Sequence, residues 1–134
     1  MATCNQPMLA LRPIRRVAFA LLCALAQPAA GAEAGEPAFI DGFDDLPLMD
    51  GLEVIEGAGV LFDTPQGRIV ERYATGALDA AEVGGFYLAT LPALGWQPAG
   101  PLRFVREGEA LSITLYPPEA SGRITVRFSL APGA

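Results

Sequence analysis

Near the C-terminus, Ile124, Val126, Phe128 and Leu130 alternate with Arg123, Thr125, Arg127 and Ser129. Nothing else in the chain narrows its fold as far. Successive side chains of a strand leave on opposite faces, so this stretch has one apolar face and one polar face. Leu111, Ile113 and Leu115 alternate with Ser112 and Thr114 in the same way. Strands patterned like this build antiparallel sheets covered on one side. Trp96–Gln97, Leu102–Arg106, Ala110–Tyr116 and Arg123–Leu130 therefore read as a meander of three or four strands.

The cover is a single helix. Asp79 is placed as an N-cap, and Glu82 three residues later completes a capping-box pattern. Val83, Phe86, Tyr87, Thr90, Leu91 and Leu94 then recur at spacings of three and four, which makes one apolar face. Gly95 is a C-terminal stop. Pro92 predicts a kink, or an end to the regular part near Leu91.

Ahead of the helix, Gly59–Asp63 and Arg68–Tyr73 are short β-type runs around Thr64-Pro65-Gln66-Gly67. Pro early and Gly late suit a tight turn, so this is a hairpin. Phe39 to Ile55 mixes Phe39, Ile40, Phe43, Leu46, Leu48, Met49 and Leu52 with Asp41, Asp44, Asp45 and Asp50, broken by Pro47 and Gly51. It reads as an extended arm with one short turn. The expected fold is α+β: a two-layer sandwich with one main helix on an antiparallel sheet, in the order ββα followed by three or four strands. Its single domain spans 58–131, after a linker and acidic-apolar arm over 33–57 and before a tail at 132–134.

The first 32 of the 134 residues read as a signal peptide. Arg12, Arg15 and Arg16 precede an unbroken apolar run, Val17–Ala26. A spanning helix needs about 20 apolar residues, so this run is too short to be one. Ala30-Gly31-Ala32 supplies small residues for a cut between Ala32 and Glu33. Leu22 before Cys23 argues against lipidation, and Val17-Ala18-Phe19 after Arg15-Arg16 makes a poor twin-arginine signal. Cys4 and Cys23 both lie in this leader. After it the chain has no cysteine, and the whole chain has no lysine and no histidine. The fold must rest on its core without disulfides. The alanine, glycine, arginine and proline bias points to a bacterium with a GC-rich genome, hence to the periplasm.

After Ala32, fifteen acids face six arginines, a net charge of −9. Glu33–Glu82 carries twelve acids and two arginines, while Val83–Ala134 carries three acids and four arginines. An acidic half repels phosphate backbones and anionic lipid, so nucleic acid is excluded as a partner.

Val83, Phe86-Tyr87, Leu91-Pro92, Leu94-Gly95-Trp96 and then Phe104, Arg106, Gly108 and Leu111 form a pattern. It resembles an uncharacterised family of small exported proteobacterial proteins, in which a helix ending in Leu-Pro-x-Leu-Gly-Trp leads into a β-meander. The likeness covers roughly the last 75 residues as a pattern. It implies fold and location but no activity, with Trp96 and Tyr87 as core anchors.

The residue inventory closes most chemistry. Ser-His and Cys-His pairs, a lysine Schiff base and a zinc site all lack their residues after the leader. Gly57-Ala58-Gly59 is no phosphate loop. Asp41, Asp44, Asp45 and Asp50 offer oxygen ligands for calcium but lack EF-hand spacing. They read as a solvated, solubilising segment. Asp63 with Glu71 across the hairpin would be a carboxylate pair for hydrolysis. Arg103, Arg106, Arg123 and Arg127 on neighbouring strands would make a basic stripe.

The helix's outer face is unusual. It carries Ala81, Gly84, Gly85, Leu88 and Ala89, with Glu82 the only charge. A free-standing domain charges this face, and each glycine costs about 1 kcal/mol against alanine. Ala81, Gly84, Gly85 and Leu88 are therefore the candidate interaction surface. The arm, Phe39–Leu52, ranks first to cover it, then a partner protein, then nothing. Three function classes follow. The favoured one is an exported, non-catalytic interaction or accessory module that binds another envelope protein without a cofactor or metal. The second is a small-ligand carrier with a cavity beside Tyr87, between helix and sheet. The third is a carboxylate hydrolase, which needs two buried carboxylates with raised pKa values.

Overall fold

The computed structural model describes residues 36–118 and 120–133. The proposed leader and its cleavage site lie outside the described residues. Six strands and one helix follow in the order β1 (Leu52–Thr64), β2 (Gly67–Gly76), α1 (Ala80–Ala93), β3 (Gln97–Gly100), β4 (Arg103–Arg106), β5 (Glu109–Tyr116) and β6 (Ile124–Pro132). The strands form one antiparallel sheet in the spatial order β1-β2-β6-β5-β4-β3. β3 to β6 run as the expected meander. β6 then pairs with β2, joining the meander to the hairpin. The helix leaves β2 in mid-sheet and reaches β3 at the far edge.

The alternation at the C-terminus does what it predicts. Ile124, Val126, Phe128 and Leu130 are all buried, each 1% exposed or less. Their cross-strand partners Leu111, Ile113, Val70 and Ala74 are buried with them. From the helix, Val83, Tyr87 and Leu91 join this core, with Phe86 and Leu94 partly buried against it. The Tyr87 ring meets Phe128 edge-on at 5.3 Å, an arrangement aromatic pairs favour.

Several sequence expectations shift. Pro92 does not stop the helix, which continues to Ala93. Its end is a Schellman motif: Gly95 N–H donates to the Pro92 carbonyl and Trp96 N–H to the Leu91 carbonyl. Gly95 has φ of +87°, a conformation a Cβ would resist. Asp79 is the N-cap residue, but its side chain makes no capping hydrogen bond. Its carbonyl accepts the Val83 N–H at 3.1 Å instead.

β1 is much longer than the five-residue run seen in the sequence. It starts at Leu52 and changes register between Val54 and Gly59. The irregularity breaks the period of two, which is why its first half reads as irregular chain. The tail boundary also moves: Pro132 belongs to β6, and Gly133 N–H donates to the Gly108 carbonyl at 2.6 Å.

The largest change is the arm. Ile40, Phe43 and Leu46 are buried members of the same core cluster as the sheet and helix. The arm folds back on itself, with Ile40 N–H donating to the Leu46 carbonyl at 2.9 Å and Leu48 N–H to the Ala38 carbonyl at 2.7 Å. The arm is therefore part of the domain and not a linker ahead of it.

Candidate interaction surface

Every acid that gave the arm its solvated appearance, Asp50 apart, meets an arginine of the sheet. Asp41 pairs with Arg72 and Asp44 with Arg68, both on β2, and Asp45 with Arg106 on β4. Arg68 is the hinge of this set. Its Nη1 and Nη2 donate to Asp44 at 3.1 and 2.8 Å, and its Nε donates to Glu109 of β5 at 3.0 Å. Arg106 grips Asp45 with both terminal nitrogens at 2.6 and 2.8 Å and donates from Nη1 to the Leu94 carbonyl at 2.8 Å. Its guanidinium lies 4.3 Å from the centre of the Trp96 ring, a cation–π contact. Asp41 and Asp44 still keep 93% and 73% of their side chains in solvent, as a solvated segment would, while Asp45, 38% exposed, fastens the arm to the sheet. Among the described residues no group of acids is placed to hold a metal ion.

The electrostatics agree with the geometry. The hydrogen bond from Arg68, and then its charge, hold the Asp44 carboxyl below the ordinary range. Glu71 is held down likewise, first by Arg127 and then by the Tyr73 hydroxyl. Asp63 and Glu71 are not a pair: Asp63 lies opposite Arg68 and Glu71 opposite Val60, an even–odd difference that puts them on opposite faces. Of the basic stripe, Arg103 shares a face of the sheet with Arg127 through the Ser112–Ser129 register, but three of the four arginines are engaged by acids. Arg106 serves the arm, Arg123 bonds Glu53 and Arg127 bonds Glu71.

Tyr87 closes the region where a carried ligand would sit. It is 0% exposed. Its hydroxyl donates to the Pro47 carbonyl at 3.0 Å and accepts from Met49 N–H at 3.4 Å. Burial pushes its phenol far above the ordinary range. A cavity of about 340 Å³ lies further out, between the arm and Phe86, lined by Pro37, Leu48, Met49, Asp50 and Phe86.

The arm thus docks at Tyr87, on the helix's inner side, and not on the outer face where the sequence ranked it first. The candidate surface divides accordingly. Gly84 is buried, and a Cβ there would meet Leu115 and Leu102 at 3.8–3.9 Å. It belongs to the inner face. Ala81, Gly85 and Leu88 remain outside, Leu88 49% exposed and Gly85 with nothing within 4 Å of a built Cβ.

Sequence reasoning missed a second apolar surface. Val60, Leu61 and Phe62 of β1 are 42%, 53% and 50% exposed. Their apolar run was visible as a β-type segment, but a strand's place at a sheet edge is set by the topology. No helix among the described residues is long and apolar enough to cross a membrane. Compared with protein-family models, with curated proteins and with solved structures, the chain matches none.

Proposed function

We propose that this protein is a non-catalytic interaction or accessory module of the bacterial envelope. It is exported by a leader cut between Ala32 and Glu33, and it docks on another envelope protein through the outer face of α1. Helix and arm together form one layer and the sheet the other, in a two-layer sandwich. The observation that carries this reading is the uncharged outer stripe Ala81–Gly85–Leu88, left open while the arm is seated at Tyr87 on the other side. An exposed leucine alone is ordinary. A helix whose outer face carries glycine and alanine where charge belongs is not.

The carboxylates support a binding role over hydrolysis. Among the described residues no charged side chain is buried. Asp44 and Glu71 are shifted downward by arginines, the opposite of what a general acid needs. The acidic N-terminal half favours a partner with a basic or neutral docking surface over nucleic acid.

Leu88→Glu tests the reading. A half-exposed surface position changes stability by less than about 0.5 kcal/mol, so the melting transition should stay in place. Crosslinking and pull-down from the periplasm should lose the partner that the unsubstituted protein retains. Undiminished capture by the folded variant would rule out this face.

A further inference from the structure

The two edges of the sheet differ. β3 is four residues long, contains Pro98 and shifts register between Pro98 and Gly100. Short strands, proline and bulges are the usual protection of an edge against pairing. β1 ends the other side of the sheet; its own register shift lies between Val54 and Gly59, and beyond it, from Val60 to Thr64, the strand has neither proline nor irregularity. Its three central residues, Val60, Leu61 and Phe62, are large, apolar and about half exposed. Among the described residues no strand pairs with its outer side.

The hydrogen-bonding pattern of that edge follows from the turn. Thr64 and Gly67 flank a two-residue loop, so they form a hydrogen-bonded pair. Pairs alternate along an antiparallel ladder. Val60 and Phe62 therefore spend their backbone groups on β2, while Gly59, Leu61 and Asp63 present theirs outward.

We propose that two copies of this chain pair antiparallel through β1, about a two-fold axis at Leu61. In this register each outward group on Gly59, Leu61 and Asp63 meets its complement on the other copy. Leu61 faces its own equivalent on the face that carries the core. On the opposite face, Val60 of each copy faces Phe62 of the other, a β-branched–aromatic pair of the kind that stabilises sheets. The strand's one charge in this stretch, Asp63, faces Gly59, so two acidic chains meet without opposing carboxylates. Because β1 is used up and β3 is protected, the assembly closes as a dimer and does not grow into a fibre. The paired segment is short for a stable complex, so the association is looked for at micromolar and higher concentrations.

The test uses purified protein carrying whatever N-terminus the cell leaves on it, kept reduced, by sedimentation equilibrium over roughly 10–500 µM. The mass should rise from one chain towards two. Leu61→Lys and Leu61→Glu each put like charges face to face, and each should raise the dissociation constant at least about tenfold. An equimolar mixture of the two should recover the dimer. If circular dichroism shows these variants unfolded, Phe62→Lys and Val60→Glu on the opposite face replace them, again apart and mixed. A monomer at every concentration overturns the proposal. So does a dimer indifferent to the folded variants, or a mixture that fails to recover it.

Discussion

Tyr87 shows how much one hydroxyl can hold. Its ring packs against Phe128, and its oxygen bonds both the Pro47 carbonyl and the Met49 N–H. Tyr87→Phe keeps the ring and leaves both backbone groups unpaired, so it should cost about 1–2 kcal/mol in chemical denaturation. The same residue sets the alkaline limit. The unfolded chain ionises its phenol near pH 10, while burial holds the folded one higher. The stability is whole below about pH 10 and falls as pH rises beyond it. Denaturation curves at rising pH should show this loss, and Tyr87→Phe should flatten it. Tyr73, held up by its bond to Glu71, leaves a residual slope. Gly59 makes a second test. Its φ is +108°, and a Cβ would lie 2.0 Å from the Glu71 carbonyl oxygen. Backbone cannot yield like a side-chain tip, so Gly59→Ala should destabilise by about 2–4 kcal/mol.

Among the elements, the arm is attached by both charge and apolar burial. Asp44 and Asp45 hold it to β2, β5 and β4 through Arg68 and Arg106, while Ile40, Phe43 and Leu46 sit in the core. Since the Asp44 carboxyl is held below its ordinary value, its contribution is present above about pH 4 and is lost as pH falls through the lowered value. Hydrogen exchange under acid should therefore open 38–50 before the sheet. Asp45→Asn removes the charge that Arg106 grips beside Trp96, and should cost about 1 kcal/mol while making the arm the first site of limited proteolysis. Equal exchange in arm and sheet under acid would mean that the apolar residues alone fasten it.

For the whole molecule, the expected product of export is a chain beginning at Glu33. Intact-mass measurement of the protein recovered from the envelope should give that N-terminus. A retained leader would refute the export route. The compact unit running from Ala34 to Ala134 carries all the elements described above. It offers two surfaces of different kind, a helix stripe around Leu88 and a strand edge around Leu61. Substitution at one should leave the behaviour of the other unchanged, because they involve different elements with no shared residue.

Local pattern was enough to place the meander, the hairpin turn at Pro65-Gln66 and the helix with its Gly95 stop. Each rests on contacts between near neighbours in the chain: alternation across a pleat, apolar spacing around a helix, a glycine free to take positive φ. The arm was not legible in that way. The ion pairs of its aspartates were hidden because their partners, Arg72, Arg68 and Arg106, lie 24 to 61 residues away. The same holds for Gly84, adjacent to Gly85 in sequence yet turned under Leu102 and Leu115. β1 hid its first half because a register shift erases the period of two, and hid its edge position because strand order depends on where β6 inserts. Short-range periodicity specifies elements. Which surfaces those elements bury is settled by long-range pairing, and so is the choice of the surfaces this protein leaves open.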